Sequence, residues 1–337
     1  MKFISCASYF GTGSSAITDY VSEFENVHSF TDYEFRFLQD PDGISDLEYN
    51  LIENHNRHNS GYALKKYKKL VDYFSGNFFV KRYEPFFNNQ WRVISYRYID
   101  ELTDLTYKGY WYYDVKDKGL LFLLLVRLIN KILQKTIWIN KDISNLNELP
   151  NEKTLCSYPN KERFLKSTKN YIEELFAIAN YDNKPFLMVD QIVPPSNINR
   201  FLRYFDDIHV FIVDRDPRDL FLLAKYDWKI HIIPTENADV FCEWYRYTRA
   251  HRKNEKFDID KVLFIQFEDM IYKYEETTNK INDFLGLSKN QHTSPKQYFN
   301  PDKSAKNTKV WLRDSGYQKE AFQIAEALPE YLYDFEG

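Results

Sequence analysis

Apolar residues in this chain come either as short unbroken runs or as helical stripes, and the two alternate regularly only near the start and in the second half. Residues 2–8 are a mostly apolar run, 9–15 a turn rich in Gly, Ser and Thr, and a helical pattern begins at Ala16. Residues 26–30 predict a second strand. From Pro185 the alternation returns: PFLMVDQ and HVFIVDR predict buried strands, and VLFIQFEDM a strand running into a turn. Helices are predicted over 196–205, over 217–228 with Pro217 in its first turn, over 237–254, and over 275–285, stopped by Gly286. Apolar strands separated by helices imply an α/β fold, a three-layer sandwich around a central parallel sheet, with ligands outside the strands' carboxyl ends.

Between these regions the pattern changes. DPDG at 40–43 predicts a turn and a helix over 44–54, followed by a helix over 62–74 whose Lys65, Lys66, Lys68 and Lys69 read as a solvated face. From about 76 to 183 no strand-helix alternation runs through the aromatic pieces FFVKRYEPFF and YKGYWYYDV, though 161–179 looks helical. The most apolar run, 119–133, is broken by Arg127 and Lys131 and is too short to span a bilayer; a buried helix is preferred over a membrane-surface one. With no linker and no repeat, the expectation is a single domain over 1–337, with 76–183 a helical insertion or a cap over the ligand side.

The composition narrows the function classes. With 337 residues, 44% hydrophobic and 28% charged, the chain reads as a globular protein with a sizeable core, unusually rich in aromatics at 18%. A net charge of -4 argues against a nucleic-acid partner. Cys6, Cys156 and Cys242 lack metal-type spacing and are odd in number, which fits a reducing compartment. No secretory leader precedes the first strand, so a cytoplasmic protein without an integral membrane segment is expected.

Two stretches carry candidate chemistry. In FGTGSSA, Gly11 and Gly13 permit a tight turn, Ser14 and Ser15 add hydroxyls, and the following helix points unpaired N–H groups and its positive dipole end at whatever sits in the loop. This suits an anion; the alternative is an ordinary strand-to-helix turn. The Lys of a nucleoside triphosphatase loop is missing, its place taken by Ser14 and Ser15, so an ATP- or GTP-hydrolysing site is disfavoured. In HVFIVDRDPRDLF, Arg215 and Arg218 follow a buried strand at a helix start, where a guanidinium can grip a phosphate or simply pair with Asp214, Asp216 and Asp219.

With these stretches, FED at 267–269 and FLGL at 284–287 in the same order, the chain resembles the sulfotransferases that use 3′-phosphoadenosine-5′-phosphosulfate (PAPS), whose fold is related to that of P-loop nucleoside triphosphatases. The resemblance covers roughly the first forty residues and 185–287. It implies that Gly11, Thr12, Gly13, Ser14, Ser15 and Ala16 bind the 5′ phosphosulfate and Arg215 the 3′ phosphate, while FED and FLGL are scaffold. Two positions depart: where many members carry Lys or Arg this chain has Gly11, and where many carry Ser it has Leu223. In NPDKSAKNTKVWLRDSGY the candidates to replace them are Lys303, Lys306, Lys309 and Arg313, with Lys309 and Arg313 preferred.

Sulfuryl transfer to an alcohol resembles phosphoryl transfer in needing positioning, charge stabilisation and a proton acceptor, and it requires no metal. Glu34 in DYEFRF resembles the Glu-x-Arg arrangement of members that use Glu as base, with Arg36 holding it or neutralising the sulfuryl group; a strand-end ion pair is the other reading. His28, His55 and His58 are weaker candidates. Asp190 and Gln191 should face the cleft, and Trp228 and Trp244 are read as core in preference to an adenine-stacking face. The expectation is a sulfotransferase with PAPS as donor, 3′-phosphoadenosine-5′-phosphate (PAP) as product and a small-molecule or glycan hydroxyl as acceptor. A P-loop kinase of a small metabolite and a non-catalytic nucleotide-binding relative are the alternatives.

Overall fold

The computed structural model describes residues 1–56, 58–77, 79–109, 117–139 and 152–336. Its strands are β1 (Lys2–Ser8), β2 (Val27–Glu34), β3 (Leu105–Gly109), β4 (Glu152–Cys156), β5 (Phe186–Asp190), β6 (Ile208–Asp214) and β7 (Val262–Gln266). Five of them pair in parallel in the order β2-β5-β1-β6-β7, whereas β3 and β4 form a separate antiparallel pair. Ser8 lies opposite Val213, Glu34 opposite Asp190 and Asp214 opposite Gln266, so the five carboxyl ends share one edge. The chain leaves β1 toward one side of the sheet and β6 toward the other, opening a crevice between these neighbours at the switch in direction.

Strand side chains alternate between two cores, as the period of two requires. On one face Phe3, Leu187, Ile208, Val210 and Ile212 pack with helices Asn59–Ser75, Trp91–Leu102 and Lys161–Ala179. On the other, Ile4, Cys6, Met188, Phe211 and Val213 pack with helices Ser14–Ser22 and Tyr274–Leu285. The α/β three-layer expectation therefore holds. A third cluster joins helices Pro217–Leu222, Ala238–Arg249 and Gln318–Ala327 beside the end of β6. The FLGL residues Leu285 and Leu287 are buried in the second core, and Gly286 adopts the left-handed conformation that ends its helix.

The middle of the chain departs from its sequence reading in three ways. Helices Trp91–Leu102 and Lys161–Ala179 form part of the layer on the sheet, with the Phe176 ring 5.5 Å from Phe3 and 5.9 Å from Phe30, so they are not a cap. The region also contains the β3–β4 pair, which no alternation signalled; part of YKGYWYYDV lies outside the described residues. The apolar run forms helix Leu120–Lys135, and none of its residues is buried. Apolar content distinguishes a core helix from a surface one only when a neighbour covers it.

Smaller differences arise from the backbone. Asn197 sits in the left-handed region, φ 56°, and delays the helix predicted from Ser196 to Ile198–Leu202. The predicted helix over 217–228 begins as α over Pro217–Leu222 and widens into a π turn over Leu223–Trp228. Such a turn inserts an extra residue and re-aims the side chains at its far end.

One buried ion cluster fixes the end of β6. Asp214 accepts from Arg249 Nη2 at 2.6 Å, Arg252 Nη2 at 2.7 Å and the Tyr245 hydroxyl at 3.1 Å. Burial acts to raise its pKa, yet the two guanidinium groups hold the carboxyl below its ordinary range. Asp214→Ala is expected to destabilise the fold by ~3–5 kcal/mol, because it leaves a buried guanidinium without its carboxylate. Urea unfolding measures this, and a loss below ~1 kcal/mol would show that the cluster does not hold the strand end.

Candidate functional site

Every strand of the parallel sheet sends residues from its carboxyl end into one cleft of about 750 Å³. After β1 come Phe10, Gly11, Gly13, Ser14 and Ser15; β2 contributes Glu34 and Arg36; β5 is followed by Gln191, β6 by Arg215 and β7 by Phe267. Trp228, Ile232 and Asn307 complete the wall. A neighbouring hollow of about 490 Å³ shares Ser8, Phe10, Arg36 and Gln191 with it and adds Tyr9, Tyr247 and His251.

The loop after β1 is built to present N–H groups. Phe10, Gly11 and Gly13 all have positive φ, at 61°, 67° and 99°. Thr12 is buried, its hydroxyl donating to Val213 O at 2.7 Å and accepting from Tyr9 N at 3.2 Å, which ties the loop to β6. Among the described residues, the N–H groups of Gly11 through Ser15 have no acceptor in the chain. A Cβ at position 13 would lie 2.5 Å from the Phe267 ring, so only glycine fits between loop and wall. Ala16 is buried behind the loop, its N–H donating to Gly13 O.

Arg215 enters from the far side of the crevice, 3% exposed. Its Nη1 donates to Gly11 O at 3.3 Å, its Nη2 to Asn307 O, and its Nε has no partner among the described residues. The guanidinium carbon lies 4.4 Å from the Phe267 ring centre and 5.6 Å from that of Trp228. Burial pulls its pKa below the ordinary value, and Glu268, Asp219 and Asp216 oppose that pull. Arg218 turns away: it forks onto Asp216 at 2.9 and 2.6 Å and lies 3.9 Å over Trp311.

Glu34 and Arg36 meet at the other end of the cleft, 3.4 Å apart, with Arg36 also donating to Asp40 at 2.9 Å. Glu34 remains about half exposed, so its carboxylate is open to a ligand. Beneath it, Asp190 accepts from the Ser14 hydroxyl at 3.5 Å. Burial, then the neighbouring Glu34 charge, pushes the Asp190 pKa up to about 7.

The structure brings Gly11, Gly13, Ser14, Ser15, Glu34, Arg36 and Arg215 together in the cleft wall and places Thr12 and Ala16 behind it. Lys309 and Arg313 are not in that wall. The Lys309 ammonium lies over Tyr272 and Phe335, at 5.3 and 4.9 Å, and Arg313 pairs with Asp227 at 2.9 Å. The C-terminal stretch does reach the cleft, but through Asn307. It is pinned there by Asp219, which accepts from the N–H groups of Lys309 and Val310 at 3.0 and 2.7 Å.

Trp228 is a cleft wall, contrary to its reading as core, because the π turn swings it over Gly11; Trp244 does pack against the third cluster. Gln191 reaches the cleft but Asp190 stays below it. His28 pairs with Asp182 at 2.6 Å, His55 contacts Ser157 O, and neither these nor His58 line the cleft. Ile232 and Asn307 escaped sequence reasoning, and Phe267, read within FED as scaffold, lines the cleft. Phe267 carried a local signal for the cleft, as the first residue past a strand end; the other two had none.

No family model and no curated protein matches the chain. Among solved structures it is similar to the sulfotransferase domain from the Synechococcus PCC 7002 olefin synthase, at 13% identity over 99% of this chain and 95% of that one, TM-score 0.43. It is also similar to sulfotransferase STF9 from Mycobacterium avium, 11% identical over 100% and 78%, TM-score 0.38. A third is STF1 from Mycobacterium tuberculosis H37Rv, 11% identical over 92% and 76%, TM-score 0.33. The cleft itself, not these likenesses, carries the functional reading.

Glu268 offers a direct test of the cleft's electrostatics. It is fully buried, accepts from Asp216 N at 2.9 Å, and burial, only partly offset by Arg215, pushes its pKa up to about 8. The folded chain thus keeps a proton that the unfolded chain releases near pH 4.5, so this group's contribution to stability falls as pH rises between those values. Glu268→Gln, which mimics the protonated acid, should melt higher relative to wild type at pH 9 than at pH 5, by at least ~2 °C. An unchanged difference between the two pH values would show that Glu268 is already ionised at pH 5.

Proposed function

We propose that this protein is a sulfotransferase that moves the sulfuryl group of PAPS to a hydroxyl acceptor. The observation that carries the reading is one cleft holding an N–H-lined glycine loop, a buried arginine with an unpartnered Nε, and an open carboxylate–arginine pair. Phosphate-bearing ligands suit the first two, since free N–H groups at a helix start and a desolvated guanidinium both favour negative charge. In this reading the loop 11–15 holds the 5′ phosphosulfate and Arg215 the 3′ phosphate, and the Trp228 face covers the adenine. A volume of about 750 Å³ is in the range of nucleotide-sized sites.

The acceptor approaches through the neighbouring hollow, whose Tyr9, Tyr247 and His251 suit a small polar alcohol or a sugar. Its oxygen attacks sulfur as the bond from sulfur to the bridging phosphate oxygen breaks, and the electron pair leaves with PAP. Glu34 accepts the acceptor's proton, while Arg36 orients Glu34 and balances charge on the moving group.

Two measurements test this. In calorimetry PAP should bind, and Arg215→Ala should weaken it by ~1.5–3 kcal/mol, about 10- to 200-fold. Affinity within error of wild type removes Arg215 from the site, and thermal stabilisation by ATP with magnesium but not by PAP favours the metabolite kinase. With labelled PAPS and a panel of alcohols, Glu34→Gln should lower turnover roughly 10²- to 10⁴-fold while PAP affinity is kept. PAP binding without turnover on any acceptor by the wild type would favour the non-catalytic relative.

A further inference from the structure

The helix Leu120–Lys135 is amphipathic and exposed, and the cleft makes no use of it. Leu121 is 83% exposed, and Leu125, Leu128 and Ile132 are each more than half exposed. At 100° per residue these four fall in one narrow stripe. The adjoining flank about 100° round the helix, formed by Phe122, Val126, Ile129 and Leu133, is only half-buried. Leaving an apolar stripe of this size in water is unfavourable, and none of the described residues covers it.

Charge indicates what that partner is. Arg127, Lys131 and Lys135 form a ladder at i, i+4 and i+8 that winds from about 100° to about 20° off one side of the apolar stripe, and none has an ion-pair partner among the described residues. From Lys118 to Ile139 there is no acidic residue, although the whole chain is net -4. Asp117, just before the helix, accepts from Lys69 at 2.7 Å and from Tyr62 at 3.0 Å, which sets the helix start beside the lysine-bearing helix Asn59–Ser75. Past its end, Trp138 and the exposed Ile137 and Ile139 extend the apolar surface. Sixteen residues span only about 24 Å, less than the ~30 Å of a bilayer core, so the helix is suited to lie along an interface rather than cross it.

We infer that the Leu120–Lys135 helix docks this protein on an anionic membrane surface, leucines in the acyl boundary and Arg127, Lys131 and Lys135 at the headgroups. This goes beyond the proposed reaction and does not depend on it. The test is flotation of the full chain with vesicles of phosphatidylcholine alone or mixed with phosphatidylglycerol. Wild type should float with the anionic vesicles, and L121Q/L125Q/L128Q should bind them at least ~10-fold more weakly. Replacing Arg127, Lys131 and Lys135 by Gln should remove the preference for anionic lipid, roughly 5-fold per charge. Failure of wild type to bind the anionic vesicles, or undiminished binding by the leucine variant, overturns the proposal. So does a wild-type dimer in sedimentation that the leucine variant turns into a monomer, since the helix would then pair with a second copy of the chain.

Discussion

The candidate site depends on a buried guanidinium that forms no ion pair with a carboxylate among the described residues. Desolvating a cation is costly unless something answers its charge, and a nearby Asp or Glu ordinarily does so. Arg215 is instead held by two carbonyl oxygens and two aromatic faces, with its Nε unmatched. Carbonyls and rings offer partial charge only. The electrostatic deficit is what an anionic ligand would fill, and it is greatest when the pocket is empty.

That deficit is maintained by the acids around Arg215, each of which is engaged elsewhere. Asp214 is neutralised by Arg249 and Arg252, and Asp216 is forked by Arg218. Asp219 spends both oxygens on the N–H groups of Lys309 and Val310. Glu268 accepts from Asp216 N, and burial pushes its pKa up to about 8. A sequence with four acids within a few residues or one strand of an arginine would ordinarily quench it. Here Glu268, Asp219 and Asp216 offset part of the cost of burying the guanidinium through space while their hydrogen bonds go to other partners, and Asp219 also brings Asn307 to its side.

The fold was legible because its signals are local: runs such as FLMVD and VFIVD are buried on both faces, and such strands need no context to be recognised. The glycine loop, Arg215 and the Glu34–Arg36 pair were legible for the same reason, each lying within a few residues of a strand end. Lys309 and Arg313 were misplaced because charge in a sequence does not show what will consume it; Asp227 lies far off in the chain yet takes Arg313. Trp228 and Asn307 owe their places to a π turn and a distant carboxylate cap, neither of which has a pattern readable in one dimension. The exposed leucine helix was misread because periodicity reports which residues share a face, not whether anything covers it.

Gly11 and Leu223 are coupled through the π turn that joins Leu223 to Trp228. The π turn begins at Leu223, which is buried among Leu220, Phe221 and Phe241, and ends at Trp228, whose ring would lie 2.8 Å from a Cβ at position 11. A long cationic side chain at position 11 would collide with that ring and would also strain a backbone at φ 67°. A hydroxyl at 223 would face an apolar cluster with no partner in view. Glycine at one site and leucine at the other therefore suit this turn, which sets the Trp228 ring against the loop. The positive charge in the cleft falls to Arg36 and Arg215, at opposite ends, which leaves the span between them to the N–H groups of the loop.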